Sequence, residues 1–242
     1  MGTAKSGTHS IVSMFDDSVR SRHEPDDEAV IRKIIDIENG RLSQSDLTSY
    51  VRERDQRLCL DVDSSQLNFF LLDHLLEAFP DAVFILTIRD CYSWLNSFIN
   101  DSLRRSTSKA WVTFREYRFR PDLFSHPPEE EALKRRGLYT LDGYLSYWAR
   151  HNSRVLATVP KNRLLIVRTS EITKRAHDIA AFAGIPKESV RVQESHSFRN
   201  PENFNVLREV DESHLEGKVR AYCFPLMEQF FTDIRSMSDA GV

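Results

Sequence analysis

A chain of 242 residues with 40% apolar content is long enough to bury one α/β core. A net charge of −3 gives no support to a general nucleic-acid binder. The three cysteines (Cys59, Cys91, Cys223) are widely separated and lack CxxC spacing, which excludes a disulfide framework and a zinc site. There is no signal-like segment and no run near the ~18 apolar residues of a membrane span, so the expected location is a reducing cytoplasm.

The chain opens on Gly2-Thr3-Ala4-Lys5-Ser6-Gly7-Thr8-His9-Ser10, and an apolar pattern predicts a helix over 8–20. A glycine-flanked loop feeding a helix start favours an anion. Gly2 and Gly7 have the glycine spacing of GxxxxGK[ST], yet Thr8 and His9 follow where Lys and Ser/Thr belong. The lysine lies inside the loop, and the hydroxyl that would hold magnesium is a histidine. Such a loop suits a phosphate-like group and not Mg-ATP. Only Met1 precedes Gly2, whereas a phosphate loop normally follows a strand of ~5 residues. The first strand is therefore expected to be missing, or the sheet to be completed in some other way.

Short helices are predicted over 28–38 and 44–54, a strand over 58–62, and a helix over 67–79 from apolar residues at Leu67, Phe70, Leu71, Leu75 and Ala78. The nearly unbroken apolar run 82–88 reads as a buried parallel strand. A helix over 91–105, a polar and aromatic insertion over 106–138, a helix over 141–158, a strand over 163–168 and helices over 171–183 and 214–235 complete the chain. This alternation implies one domain, 1–242, with a parallel central sheet flanked by helices in three layers. Ligands of such sheets sit at the carboxyl ends of the strands, where Lys5 and Arg89 fall.

The strand at 82–88 ends in Arg89-Asp90, and Ser93 and Ser97 follow on one helix face. A planar fork at Arg89 and a hydroxyl at Ser97 could close on one phosphate. A K-S-G-T loop followed by a strand-R-x7-S-helix unit resembles the sulfotransferases that use 3′-phosphoadenosine 5′-phosphosulfate (PAPS). The likeness continues through Arg163-Leu164-Leu165-Ile166-Val167-Arg168, Ala183-Gly184-Ile185-Pro186 and His196-Ser197-Phe198. An R-K-G loop after the last stretch is absent and only Arg199-Asn200 follows, which leans toward the bacterial or carbohydrate-type relatives rather than the hormone-type ones.

The resemblance implies a P-loop NTPase-like α/β fold and transfer of a sulfuryl group from PAPS to a hydroxyl or amine of a small-molecule or carbohydrate acceptor. No metal is implied. Lys5, Ser6, Gly7, Thr8, His9 and Ser10 would hold the 5′-phosphosulfate, with Lys5 stabilising the transition state. Arg89 and Ser97 would hold the 3′-phosphate, and Phe198 and Arg199 would border the adenine. In related carbohydrate and tyrosyl-protein enzymes a catalytic Glu lies one helix after the loop; Glu24, or His23 beside it, resembles it. At the next strand end Asp63 replaces a basic residue, while Ser64 could touch substrate or cofactor. The family often forms dimers.

Plainer readings stand beside these. His23 and Glu24 suit a solvated turn before Pro25, Arg89 suits an ion pair with Asp90 or Glu77, and Ser97 suits a helix surface. Phe198 suits ordinary core, and His74 reads as a packed histidine. The basic and aromatic 103–120 segment reads first as an acceptor lid, then as surface, and last as a nucleic-acid face. Two other functions remain: a small-molecule kinase with a degenerate loop, and a nucleotide-binding protein without catalysis.

Overall fold

The computed structural model describes residues 1–193 and 203–242. They divide into two compact units, one built from Met1–Ile88 and Arg154–Arg199, the other from Arg89–Ser153 and Asn200–Val242. In chain order the elements begin α1 (Thr8–Ser13), β1 (Ser21–His23), α2 (Asp27–Glu38), α3 (Gln44–Leu58), β2 (Val62–Ser64), α4 (Leu72–Ala78) and β3 (Phe84–Ile88). Next come α5 (Cys91–Arg104), α6 (Lys109–Phe119), α7 (Glu131–Lys134) and α8 (Leu141–Thr158). The last are β4 (Leu164–Arg168), α9 (Ala176–Phe182), α10 (Glu212–Tyr222) and α11 (Phe224–Phe230). The result is a mixed α/β chain with small parallel sheets. No helix among the described residues is long and apolar enough to cross a membrane.

In the first unit β3 and β4 run parallel with Phe84 opposite Leu164 and Ile88 opposite Arg168. Alternate side chains of a strand point to opposite faces, and here both faces are apolar. Phe84 and Leu86 join Phe69, Leu72, Val155 and Val159 in one cluster. Ile85, Leu165 and Val167 pack with Ile11, Met14, Ile172 and Ile179 in another. Each fully buried side chain of this size contributes about 1.5–3 kcal/mol. The chain start lies along β3: Gly2 bridges Thr87 in parallel, and the Thr87 amide donates to the Met1 carbonyl at 3.0 Å. A Cβ on Gly2 would stand 2.2 Å from Thr87 Oγ1, so only glycine permits this approach.

The second parallel pair, β1 with β2, sets Arg22 opposite Asp63 and His23 opposite Ser64. Two expectations are corrected around it. The helix expected over 8–20 ends at Ser13. Beyond it the Asp16 carboxylate takes the Ser18 amide at 2.9 Å in a tight turn, and Phe15 bridges Val190 antiparallel. The strand expected over 58–62 begins only at Val62, because α3 runs on to Leu58 and Cys59 closes it in the left-handed region at φ 47°. A Ser43–Asp46 capping box starts that helix. His74 is packed as expected, bonded through Nδ1 to Thr48 Oγ1 at 2.7 Å.

The second unit is held by aromatic packing and buried polar bonds. Arg118 is buried with its guanidinium 4.5–5.3 Å from the ring centres of Phe98, Phe114, Phe119 and Tyr147. Burial holds that guanidinium below its ordinary pKa. Within the basic and aromatic 103–120 segment Phe114, Arg118 and Phe119 are core, while residues such as Arg104, Arg105 and Val112 are exposed. Glu130, fully buried, accepts the Leu141 amide at 2.9 Å and faces His214 Nε2 at 3.0 Å. The helix expected over 214–235 is two helices, α10 and α11, which break at Cys223. Pro225 has no N–H to continue the ladder of α10, yet it fits the first turn of a new helix.

Candidate active site

Three segments of the first unit meet: the 2–10 loop, the end of β1 and the end of β2. The loop begins as a tight turn in which the Ser6 amide donates to the Thr3 carbonyl at 3.1 Å. Lys5, third in that turn, has φ 66°, a position normally left to glycine. Gly7 follows at φ 90° and starts α1 without any side-chain cap. Left-handed residues in such a turn are a feature of anion-binding backbone concavities. Ser6 and Thr8 are buried; the Ser6 hydroxyl bonds Thr3 Oγ1 at 2.5 Å, and Thr169 Oγ1 donates to the Ser6 carbonyl at 2.8 Å. The loop shape is thus fixed from below.

Gly7 cannot be replaced without strain. A Cβ there would stand 2.4 Å from Ile172 Cδ1, on a backbone conformation L-residues avoid. Gly7→Ala should lose about 2 kcal/mol of stability, read as a lower denaturant midpoint with an unchanged slope.

The loop is tied to the strand ends. Thr8 Oγ1 bonds His23 Nε2 at 3.1 Å, and Ser64 Oγ donates to the Thr8 carbonyl at 2.7 Å. The His9 and His23 rings lie 5.2 Å apart, and His9 Nδ1 bonds Ser13 Oγ at 3.0 Å. Glu24 follows β1 at φ 49°. Its Oε2 accepts a hydrogen bond from Ser65 Oγ, and its Oε1 accepts the Gln66 amide at 3.0 Å. His23 Nε2 is 4.0 Å from Glu24 Oε1. The Glu24 carboxylate is thus largely enclosed, whereas His23 keeps about a third of its side chain in solvent (31% exposed).

Burial separates the two candidates electrostatically. It pushes the Glu24 carboxyl up to about 6, with the Ser65 and Gln66 hydrogen bonds pulling the other way. It pushes His23 down to about 4, helped by the neighbouring His9. Near neutral pH Glu24 is a carboxylate with a useful proton affinity and His23 is a neutral imidazole. A general base works best with a pKa near the working pH, so Glu24 is the stronger candidate. Asp63 bonds Arg54 at 2.5 Å and Asn68 Nδ2 at 3.2 Å. Arg54 also donates to the Pro25 carbonyl at 2.8 Å, which fixes the chain just past Glu24.

The second motif lies in the other unit. Asp90 caps α5 by accepting the Ser93 amide at 2.8 Å. Arg89 Nε donates to Ser93 Oγ at 2.9 Å, one turn before Ser97, and Trp148 Nε1 donates to the Arg89 carbonyl at 3.1 Å. Burial holds the Arg89 guanidinium below its ordinary pKa, a state that a nearby anion would relieve. Phe198 and Arg199 lie outside the described residues. Among the described residues no three His, Cys, Asp or Glu side chains gather as a metal site.

Ser65 and Gln66 are partners of Glu24 that the sequence does not reveal. No local signal could have found them, because they lie about 40 positions along the chain and reach Glu24 only through the β1–β2 pairing.

A family model described as "Sulfotransferase domain" matches residues 1–172, which include the loop, Glu24, Arg89 and Ser97. The chain belongs to the sulfotransferase domain family. Over 103 residues it is also 29% identical to "Ava biosynthesis cluster protein M" of Aspergillus versicolor. That match covers 40% of this chain and 40% of the relative, so the chain spans well under half of the relative's length.

Proposed function

We propose that this sulfotransferase-family chain moves a sulfuryl group from PAPS to a hydroxyl or amine of a small-molecule or carbohydrate acceptor by in-line displacement. The observation that carries this is the single hydrogen-bonded assembly of the Lys5–Thr8 loop, His23, Ser64 and the bracketed Glu24 carboxylate. The loop's donors suit the group: an ammonium at Lys5, hydroxyls and turn amides, and no acidic residue between Gly2 and Ser10. PAPS, when bound, supplies an electrophilic sulfuryl group and a nucleotide that departs with negative charge. Lys5 and the loop amides bind that charge in a partly buried place where electrostatic stabilisation is strong. Glu24 holds one orientation and takes the acceptor's proton on a carboxylate oxygen. Neutral His23 braces the loop through Thr8. Arg89 and Ser97 would take the 3′-phosphate, and the fold would be the three-layer P-loop-like type. A cytoplasmic homodimer without nucleic-acid partners completes the proposal.

Calorimetric titration with 3′-phosphoadenosine 5′-phosphate (PAP), without metal, tests it. Wild type should bind PAP tightly and adenosine 5′-monophosphate weakly. Arg89→Ala should lose about 1.5–3 kcal/mol of PAP affinity, the scale of a charge-assisted contact, and little for the monophosphate. No PAP binding together with tight ATP-Mg²⁺ binding would favour a kinase and overturn the proposal. Tight PAP binding with no turnover of PAPS would favour a nucleotide-binding protein without catalysis.

A further inference from the structure

Glu24 sits at a left-handed backbone position between the three-residue strand β1 and the start of α2 at Asp27, so neither element's regular hydrogen bonding fixes its side chain. Its orientation is set from β2. The Ser65 hydroxyl donates to Oε2 and the Gln66 amide to Oε1. Ser65 Oγ is itself oriented, because it accepts the Leu67 amide at 2.9 Å. Its hydroxyl proton is thereby directed at the carboxylate. The bracket is buried: Ser65 and Gln66 are 2% and 7% exposed. The Glu24 amide also donates to the Ser64 carbonyl at 3.0 Å, which locks the backbone of one strand end to the other.

We propose that Ser65 is the positioning residue of the site: through its hydroxyl it holds the Glu24 carboxylate in a single orientation toward the acceptor's proton. The proposal rests on Glu24 acting as the base. A carboxylate has about four acceptor sites on its two oxygens, so the Ser65 hydroxyl and the amide and side chain of Gln66 do not exhaust it. The charged neighbours come from several elements: His23 beside it, and Asp63 of β2 with its Arg54 partner from α3. His9 of α1 lies against His23. Asp63 and burial disfavour the Glu24 anion, and Ser65 and Gln66 are the groups that favour it.

The test uses the full chain with two readouts. Carboxyl ¹³C NMR, with Glu24→Gln to assign the signal, reads the Glu24 titration midpoint without any acceptor. Metal-free conversion of PAPS to PAP with water as acceptor reads the rate against pH. Ser65→Ala should raise the midpoint by about one pH unit, the scale of one hydrogen bond to a charged group. It should move the acidic limb of the rate profile equally and lower the rate at pH 7 on the order of tenfold. PAP affinity should be unchanged, and Ser65→Thr should restore both readouts. Ser65→Cys, similar in size and a weak donor, replaces Ser65→Ala if the alanine variant does not fold. An unmoved midpoint in the Ala or Cys variant overturns the proposal, even where Glu24→Gln abolishes turnover and so upholds the base. A raised midpoint with no matching limb in the rate upholds the bracket and overturns Glu24 as base.

Discussion

Glu24→Gln should lower kcat for PAPS turnover by about 10²–10⁴-fold, the range for loss of a general base, with little change in PAP affinity. The amide can turn its carbonyl to the Gln66 N–H and its NH₂ to Ser65 Oγ, so the bracket and the fold survive. The pH profile makes the result specific. Glu24 must be ionised to accept a proton, and burial places its midpoint at about 6. Wild-type kcat/KM should therefore rise through pH 6 and level off above it, while the glutamine variant shows a low, flat line. His23 titrates at about 4 and cannot supply a limb near 6. A wild-type profile without that limb, or a glutamine variant within tenfold of wild type, would remove Glu24 from the mechanism.

Lys5→Ala should lower kcat by about 10²–10³-fold, the loss seen when one preorganised electrostatic donor is removed. Its stability should stay near wild type, because alanine at φ 66° carries the same backbone strain as lysine. Lys5→Gly separates function from folding more sharply. Glycine relieves a left-handed backbone worth roughly 1–2 kcal/mol, so the variant should melt higher and turn over as poorly as Lys5→Ala. Kinetics and thermal unfolding on both variants check this. Equal turnover in wild type and Lys5→Gly would show that the loop amides act without the ammonium.

The strained lysine and the buried glutamate follow one pattern. Both residues occupy conformations a chain selected only for stability would fill differently. Lys5 sits where glycine is easier, and Glu24 is a buried acid at a left-handed turn beside another carboxylate, Asp63. The surroundings hold both in place: Thr3, Ser6 and Thr169 shape the loop, while Ser64, Ser65 and Gln66 fix the strand end.

The sequence by itself determined the loop, the two apolar strands (read as 82–88 and 163–168, found at Phe84–Ile88 and Leu164–Arg168), most helices and the residues worth testing. Glycine spacing, unbroken apolar runs and 3.6-residue periodicity are local signals, and local forces write them. What only the tertiary structure decided is non-local. Helix α1 stops at Ser13 because residues near 190 pair with Phe15. The Arg118 stretch turns inward because four aromatic rings surround it. The choice between Glu24 and His23 rests on burial, which raises one pKa and lowers the other. Ser65 reaches Glu24 across the parallel register of β1 and β2. Dielectric surroundings and hydrogen-bond partners belong to whichever segments the fold brings together, and no window of neighbouring residues contains them.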